Sequence, residues 1–250
     1  MILPPLRVLA VALAFVATVA VQAAEPAIIA KARARLAPDH VLDAVKSIHY
    51  VGTMTAPDPR DPTKQAQYRI EIYLQKPAQQ RIEISSDEMI EVSALDGYDA
   101  WRRVTDASDP TNWQQSQLGV DQIKQLRADV WQNLSFFRGI EKIGGTVEDQ
   151  GPVTIDGVSC RKVAFIHSPT LIYYRYFNEA TGELVYTGDE NSNIREEGEM
   201  TSGGIRFAKT LRIAQKNDNG TEARTITFEK ITVNETFPSE LFAVPLPTLR

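Results

Sequence analysis

From Ser47 onward, run after run places apolar side chains at every second position, and a chain written in that period has to bury one face of a sheet. Ile48, Tyr50 and Met54 alternate with polar neighbours. Tyr68, Ile70, Ile72 and Leu74 share one face of a second run, and Arg81-Ile82-Glu83-Ile84 repeats the scheme. Asp96-Gly97 stands between Met89–Leu95 and Tyr98–Val104, and Asp-Gly supplies the positive φ angles of a two-residue hairpin. Further strands are expected at Val158–Ile166, Leu171–Phe177, Glu183–Thr187, Ile205–Gln215 and Ala223–Val233. They are separated by Ser168-Pro169, Ala180-Thr181-Gly182, Gly203-Gly204 and Asn217-Asp218-Asn219-Gly220. About ten strands with hairpin-like connections and no βαβ alternation imply one long, curved antiparallel sheet.

Three stretches read as helix. Ala27 to Leu36 is rich in Ala, Ile, Lys and Arg and stops near Pro38, after which Asp39 is expected to cap a short piece reaching about Lys46. Asp121–Leu134 carries Ile123, Leu126, Val130, Trp131 and Leu134 at helical spacing, one apolar face that can cover the concave side of the sheet. The fold class is therefore mainly β with a few helices (α+β), in a single domain over 24–250 with no linker and no internal repeat. Residues 1–23 have another character. Arg7 precedes the apolar run Val8–Val21, and Val21-Gln22-Ala23 ends it in small residues, the layout of a secretory signal peptide cleaved after Ala23. The run is shorter than the roughly 20 residues of a spanning helix. An exported, periplasmic protein is expected, and no Cys stands at the cleavage point to carry a lipid anchor.

The residues offer little for catalysis. Net charge is −5, so no general attraction to phosphate backbones exists and a nucleic-acid partner is not expected. One Cys and three His provide neither a disulfide framework nor a metal centre, and no cofactor is expected. Gly157-Val158-Ser159-Cys160-Arg161 approaches a nucleophile elbow but lacks its last Gly and lies within a strand pattern. Cys160 alternates in phase with Val158, Ala164 and Ile166, as a small buried apolar group does. Asp189-Glu190-Asn191-Ser192-Asn193 begins like a calcium loop, but Ile194 replaces the turn Gly and Met200 the bidentate Glu, so a polar turn is expected. Glu196, Glu197 and Glu199 read as a solvated acidic cluster. Leu171–Phe177, by contrast, is apolar at nearly every position, so both its faces need cover, from core on one side and a helix, ligand or partner on the other.

The order of these features resembles the LolA/LolB-type envelope fold, and more particularly the outer-membrane lipoprotein-sorting-like proteins. The resemblance runs over most of residues 27–247. It rests on SIHYVGTMT, YRIEIYLQKPAQQRIEI, SALDGYDAWRRV, IDGVSCRKVAFI, IYYRYFNEATGELVYT and ITVNETFPSELFAVPLP taken in sequence. It implies an open half-barrel lidded by helices, with an apolar concave surface that accepts acyl chains and needs no catalyst, so that the protein is not an enzyme. Each buried CH₂ would contribute about 0.8 kcal/mol. The lack of an anchoring Cys departs from the LolB pattern, and no arginine among Arg69, Arg81 and Arg102 aligns specifically with the carrier's gating arginine.

Tyr50, Ile70, Ile72, Trp101, Tyr174, Tyr176 and Phe207 are the residues expected to line such a cavity. The expected partners are lipid or lipoprotein acyl chains, with transient contact at a membrane surface on the way toward the outer membrane. The same half-barrel also resembles MucB/RseB-type regulators of envelope stress, which makes an envelope protein the alternative partner. A hydrolase using Ser159 or Cys160 ranks third.

Overall fold

The computed structural model describes residues 25–58, 60–188, 192–217 and 220–245. The segment read as a signal peptide, the Asp189-Glu190-Asn191 turn and the Asp218-Asn219 turn lie outside the described residues.

The chain enters through α1 (Ala27–Leu36) and the short α2 (Asp39–Asp43), separated by Ala37-Pro38. Pro38 disfavours a helical conformation at the residue before it, which ends α1. Asp39 does not cap α2; its carboxylate instead accepts hydrogen bonds from Arg33 Nε at 2.7 Å and Arg138 Nη1 at 2.8 Å. Six strands follow as a meander: β1 (Ser47–Pro57), β2 (Gln65–Gln75), β3 (Gln79–Ser85), β4 (Met89–Asp96), β5 (Asp99–Asp106) and β6 (Trp113–Gln117). The Asp96-Gly97 hairpin is present, with Asp96 opposite Asp99. α3 (Val120–Leu134) then carries the chain across the sheet, packing on β2, β3 and β4. Gly119 precedes it, its N–H donating to Gln122 Oε1 at 3.0 Å.

A second meander returns from the far edge: β7 (Thr146–Ile155), β8 (Val158–Ser168), β9 (Leu171–Asn178), β10 (Leu184–Gly188) and β11 (Ser192–Glu197). After the small hairpin β12 (Met200–Ser202) and β13 (Ile205–Phe207), β14 (Thr210–Asn217) and β15 (Gly220–Val233) complete the chain's strands. The last strand pairs antiparallel with the first, giving a 13-stranded sheet in the order β6-β5-β4-β3-β2-β1-β15-β14-β11-β10-β9-β8-β7. It is one antiparallel sheet, open and curved, with helices on its concave face.

The β1–β15 seam depends on Gly52. Register shifts between Val51 and Gly52, and a Cβ on Gly52 would stand 2.3 Å from the Thr227 carbonyl oxygen. Only a residue without a side chain lets the two backbones approach there.

The expected strand Ile205–Gln215 is divided. Gly203-Gly204 turns the chain so that Ile205–Phe207 pairs back on Met200–Ser202, and only from Thr210 does it join the main sheet, with Thr210 opposite Thr227. Burial explains the break, because Ile205 is fully enclosed in the core cluster containing Ile48, Leu134 and Phe228. Ser202 Oγ donates to the Ile231 carbonyl at 2.6 Å, tying the hairpin to β15.

Two apolar clusters lie under the helices. One gathers Leu42, Ile48, Ile70, Leu74, Leu95, Val130, Leu134 and Phe228; the other joins Ile29 and Ala32 of α1 to Phe137, Val163, Phe165 and Phe177. Between them the chain leaves α3 through Phe136 and Phe137, both left-handed (φ 49° and 73°) and both buried. Arg33, 1% exposed, secures this turn: Nη1 donates to the carbonyls of Ser135 at 3.3 Å and Phe136 at 3.0 Å, while Nη2 reaches Asp43 at 2.6 Å.

Candidate functional site: an apolar cavity with a buried arginine

Between the concave face and the helices lies a cavity of about 410 Å³. Its floor comes from alternate residues of the central strands: Tyr50 on β1, Ile72 and Leu74 on β2, Ile82 on β3, Leu211 and Ile213 on β14, and Ile226 and Phe228 on β15. Its roof is Ala32 and Leu36 of α1 together with Asn133, Phe136 and Phe137 at the exit of α3. Phe207, from the small hairpin, closes one side by meeting Tyr50 edge to face at 6.1 Å, and Tyr50 also packs on Phe228 at 4.9 Å. The volume is in the range of small-molecule sites, and the lining is mostly apolar, as such sites are.

One wall is polar and half sunk in this apolar surround. Arg175 of β9, 7% exposed, lies with its guanidinium over the rings of Phe137 at 4.8 Å and Phe165 at 5.6 Å. Its Nη2 donates to the Gln132 carbonyl at 3.2 Å, and its buried Nε has no hydrogen-bond partner. Burial lowers the Arg175 pKa to about 10, against the pull of Glu196, the Tyr173 phenol and Asp129. Glu196 of β11 also faces the cavity; burial pushes its carboxyl up to about 7, although Arg175 draws it down. Asp129 of α3 is likewise raised by burial, while Tyr173 and Gln125 donate to its carboxylate and resist the shift. Behind them Gln132 Nε2 is 2.7 Å from His167 Nε2, and burial, then Arg175, holds His167 down at about 4, so the ring is neutral and accepts. Gln132 Oε1 is left buried without a partner.

Charged residues rim the mouth. Arg35 of α1 reaches Glu199 at 3.3 Å and Glu183 at 3.6 Å, and Arg206 of β13 approaches Glu199 at 3.8 Å. Gly182, with φ 75°, comes so close to α1 that a Cβ there would stand 2.8 Å from the Lys31 carbonyl carbon. The turn after β9 thereby seats the helix directly on the sheet.

Of the seven residues expected to line a cavity, the structure brings three together in it: Tyr50, Ile72 and Phe207. Ile70 has the same parity but is covered in the core beneath. Trp101, Tyr174 and Tyr176 lie on the opposite face, and strand alternation is the reason. Leu95 and Ala100 occupy the concave cluster, which sends Ala94 and Trp101 outward, where Trp101 packs with Val92 and donates from Nε1 to the Phe242 carbonyl at 3.1 Å. Arg175 and Phe177 face inward, so Tyr174 and Tyr176 face out, under the Lys162 ammonium and beside Tyr186. The solvated reading of the acidic cluster fails at Glu196, which alternation on β11 places inward with Ile194; Glu197 is exposed. Arg175 carried no separate signal, being one polar residue in an apolar run.

The nucleophile candidates are not activated. Cys160 is buried, and burial followed by Glu179 raises its thiol pKa, while Ser159 Oγ donates to Glu179 at 2.7 Å. His49 is held between Glu235 and Glu71, and His167 by Gln132. Among the described residues no group of three or more His, Cys, Asp or Glu is placed to hold a metal ion, and no helix is long and apolar enough to cross a membrane.

No protein-family model and no curated protein sequence matches the chain significantly. Solved structures do match in fold. A LolA superfamily protein from Nitrosomonas europaea aligns with TM-score 0.57 at 13% identity, over 87% of this chain and 96% of its own. A DUF1329 family protein from Desulfovibrio piger gives 0.54 at 10% identity, with the same coverage of 87% and 96%. A proposed outer membrane lipoprotein-sorting protein domain from Vibrio parahaemolyticus gives 0.53 at 8%, over 86% and 94%.

Proposed function

We propose, with the LolA-like fold as premise, that this protein is a non-catalytic periplasmic carrier that holds a lipid or the acyl chains of a lipoprotein in the concave cavity and delivers it toward the outer membrane. The observation that carries the reading is the cavity itself. It is a mostly apolar space of about 410 Å³, left open between sheet and helices. A protein of this size has ample side chains to fill such a space, and apolar surface left facing water there forgoes the free energy of its burial. Occupation by an acyl chain recovers that loss at about 0.8 kcal/mol per buried CH₂ and requires no reacting group. Export by residues 1–23 accords with such a task, and the charged, half-exposed rim is suited to brief contact with a membrane surface or a partner.

Native mass spectrometry with lipid extraction, on protein isolated from the periplasm of an expressing host, tests the reading. A stoichiometric acyl species, displaced by added fatty acid, is the expected result. Protein that is empty and takes up neither fatty acid nor acylated peptide overturns it and directs attention to an envelope protein as the partner.

A further inference from the structure

The apolar lining says what the middle of a ligand is like; the polar wall says what one end is like. An arginine that is nine-tenths buried would ordinarily be paired with a carboxylate, because an unpaired buried charge is costly. Among the described residues Arg175 has no such contact. It has one carbonyl acceptor, two aromatic rings and an Nε–H with no partner, and it forms part of the cavity surface. Glu196 from β11 and Asp129 from α3 act on it only through space, Tyr173 lies beside it on β9, and His167 from β8 is neutral.

We infer that Arg175 is the anchor for the anionic end of the ligand, and that the cavity takes a single-chain amphiphile carrying a carboxylate, with its head against Arg175 and its chain along Ile72, Leu211 and Phe228. This rests on the carrier reading and narrows its ligand class. A carboxylate fits better than a phosphate monoester for two reasons. One guanidinium with part of its donor set already engaged can satisfy a monoanion but not the three oxygens of a phosphate dianion. The neighbouring Glu196 and Asp129 carboxyls would also disfavour a second negative charge on the ligand more than a single one.

Titration of the delipidated protein at pH 7 with palmitate and with methyl palmitate, each kept below its aqueous solubility limit, tests the inference. Wild type is expected to bind palmitate about tenfold or more tighter than the ester, the size of one charge-assisted hydrogen bond in a partly dry site. In Arg175→Met that ratio is expected to fall to about one. Glu196→Gln, which removes the competing carboxylate while keeping shape, is expected to raise the ratio, and it serves as the test if the Met variant does not fold. Equal affinity for acid and ester in wild type, or a preference that survives Arg175→Met in folded protein, overturns the anchor and leaves the carrier standing. Binding of neither probe by wild type overturns the carrier reading, and the anchor with it.

Discussion

Arg33 shows at the residue scale how a charge buried at 1% exposure earns its place through backbone carbonyls as much as through carboxylates. Asp39 and Asp43 are more than half exposed and would rehydrate if Arg33 were lost; the carbonyls of Ser135 and Phe136 would not. Arg33→Met is therefore expected to cost about 2–4 kcal/mol in urea denaturation, chiefly by leaving those acceptors unsatisfied beside two left-handed phenylalanines. Glu196 makes the opposite prediction. Its pKa is raised by folding from 4.5 to about 7, so the native state binds a proton more tightly than the unfolded chain does. The cost of burying it is absent below pH 4.5, grows as pH rises, and is fully present above 7. Glu196→Gln should thus leave stability nearly unchanged at pH 4 and raise it at pH 8 by about 1–3 kcal/mol, discounted because the cavity admits water. A gain equal at both pH values would show that the carboxyl is not buried in this way. Neither Glu196 nor Arg175 was legible in the sequence. Glu196 looked like its exposed neighbour Glu197, and Arg175 sat in a run apolar at nearly every position, because alternation fixes parity within a strand but not which parity faces inward.

At the scale of elements, what the sequence made plain and what it concealed divide along burial. The strands expected from alternation, from Ile48 through the Asp-Gly hairpin to Val233, all have a face in a core cluster. β6 and β7 were not foreseen, and they are the two edges of the sheet, where Trp113–Gln117 and Thr146–Ile155 are mostly exposed; in β7 the alternation of Val147, Val153 and Ile155 is interrupted by the polar run Glu148-Asp149-Gln150. β11 was concealed by its acidic residues, and the β12–β13 hairpin by continuity of the apolar pattern through Phe207 into β14. Gly52 was legible only as a letter within a strand, yet the seam joining the two meanders runs through it. Gly52→Ala must push Thr227 aside, and since backbone cannot rotate away as a side chain can, a loss of about 1–3 kcal/mol is expected in thermal or urea unfolding. Ala at Gly97, in the Asp-Gly hairpin, would be strained by its positive φ but meets no atom within 4 Å, which makes it the control for crowding.

The main sheet is two meanders hydrogen-bonded to each other where β15 pairs with β1, with α3 crossing between their far ends. The cavity straddles that junction, because its lining is drawn from β1, β2 and β3 on one side and from β9, β11, β14 and β15 on the other, with α1 and α3 above. A ligand lying there touches both halves, so its binding free energy is lost only when the halves separate. Stability and occupancy are then linked: at free ligand a hundredfold above Kd the native state gains about 2.7 kcal/mol. In a domain of this size that corresponds to a rise in Tm of about 5–10 °C. Calorimetry with a series of fatty acids lengthening from twelve carbons should show a single transition moving upward, with affinity rising about fourfold per added CH₂ until the cavity is filled and levelling thereafter. The length at which it levels measures the chain the cavity was shaped to hold. A transition that splits, with only one part moving, would place the ligand on one meander and not across the seam. Affinity independent of chain length would mean that the head group alone is bound, and that the apolar floor from Ile72 to Phe228 serves packing and not cargo.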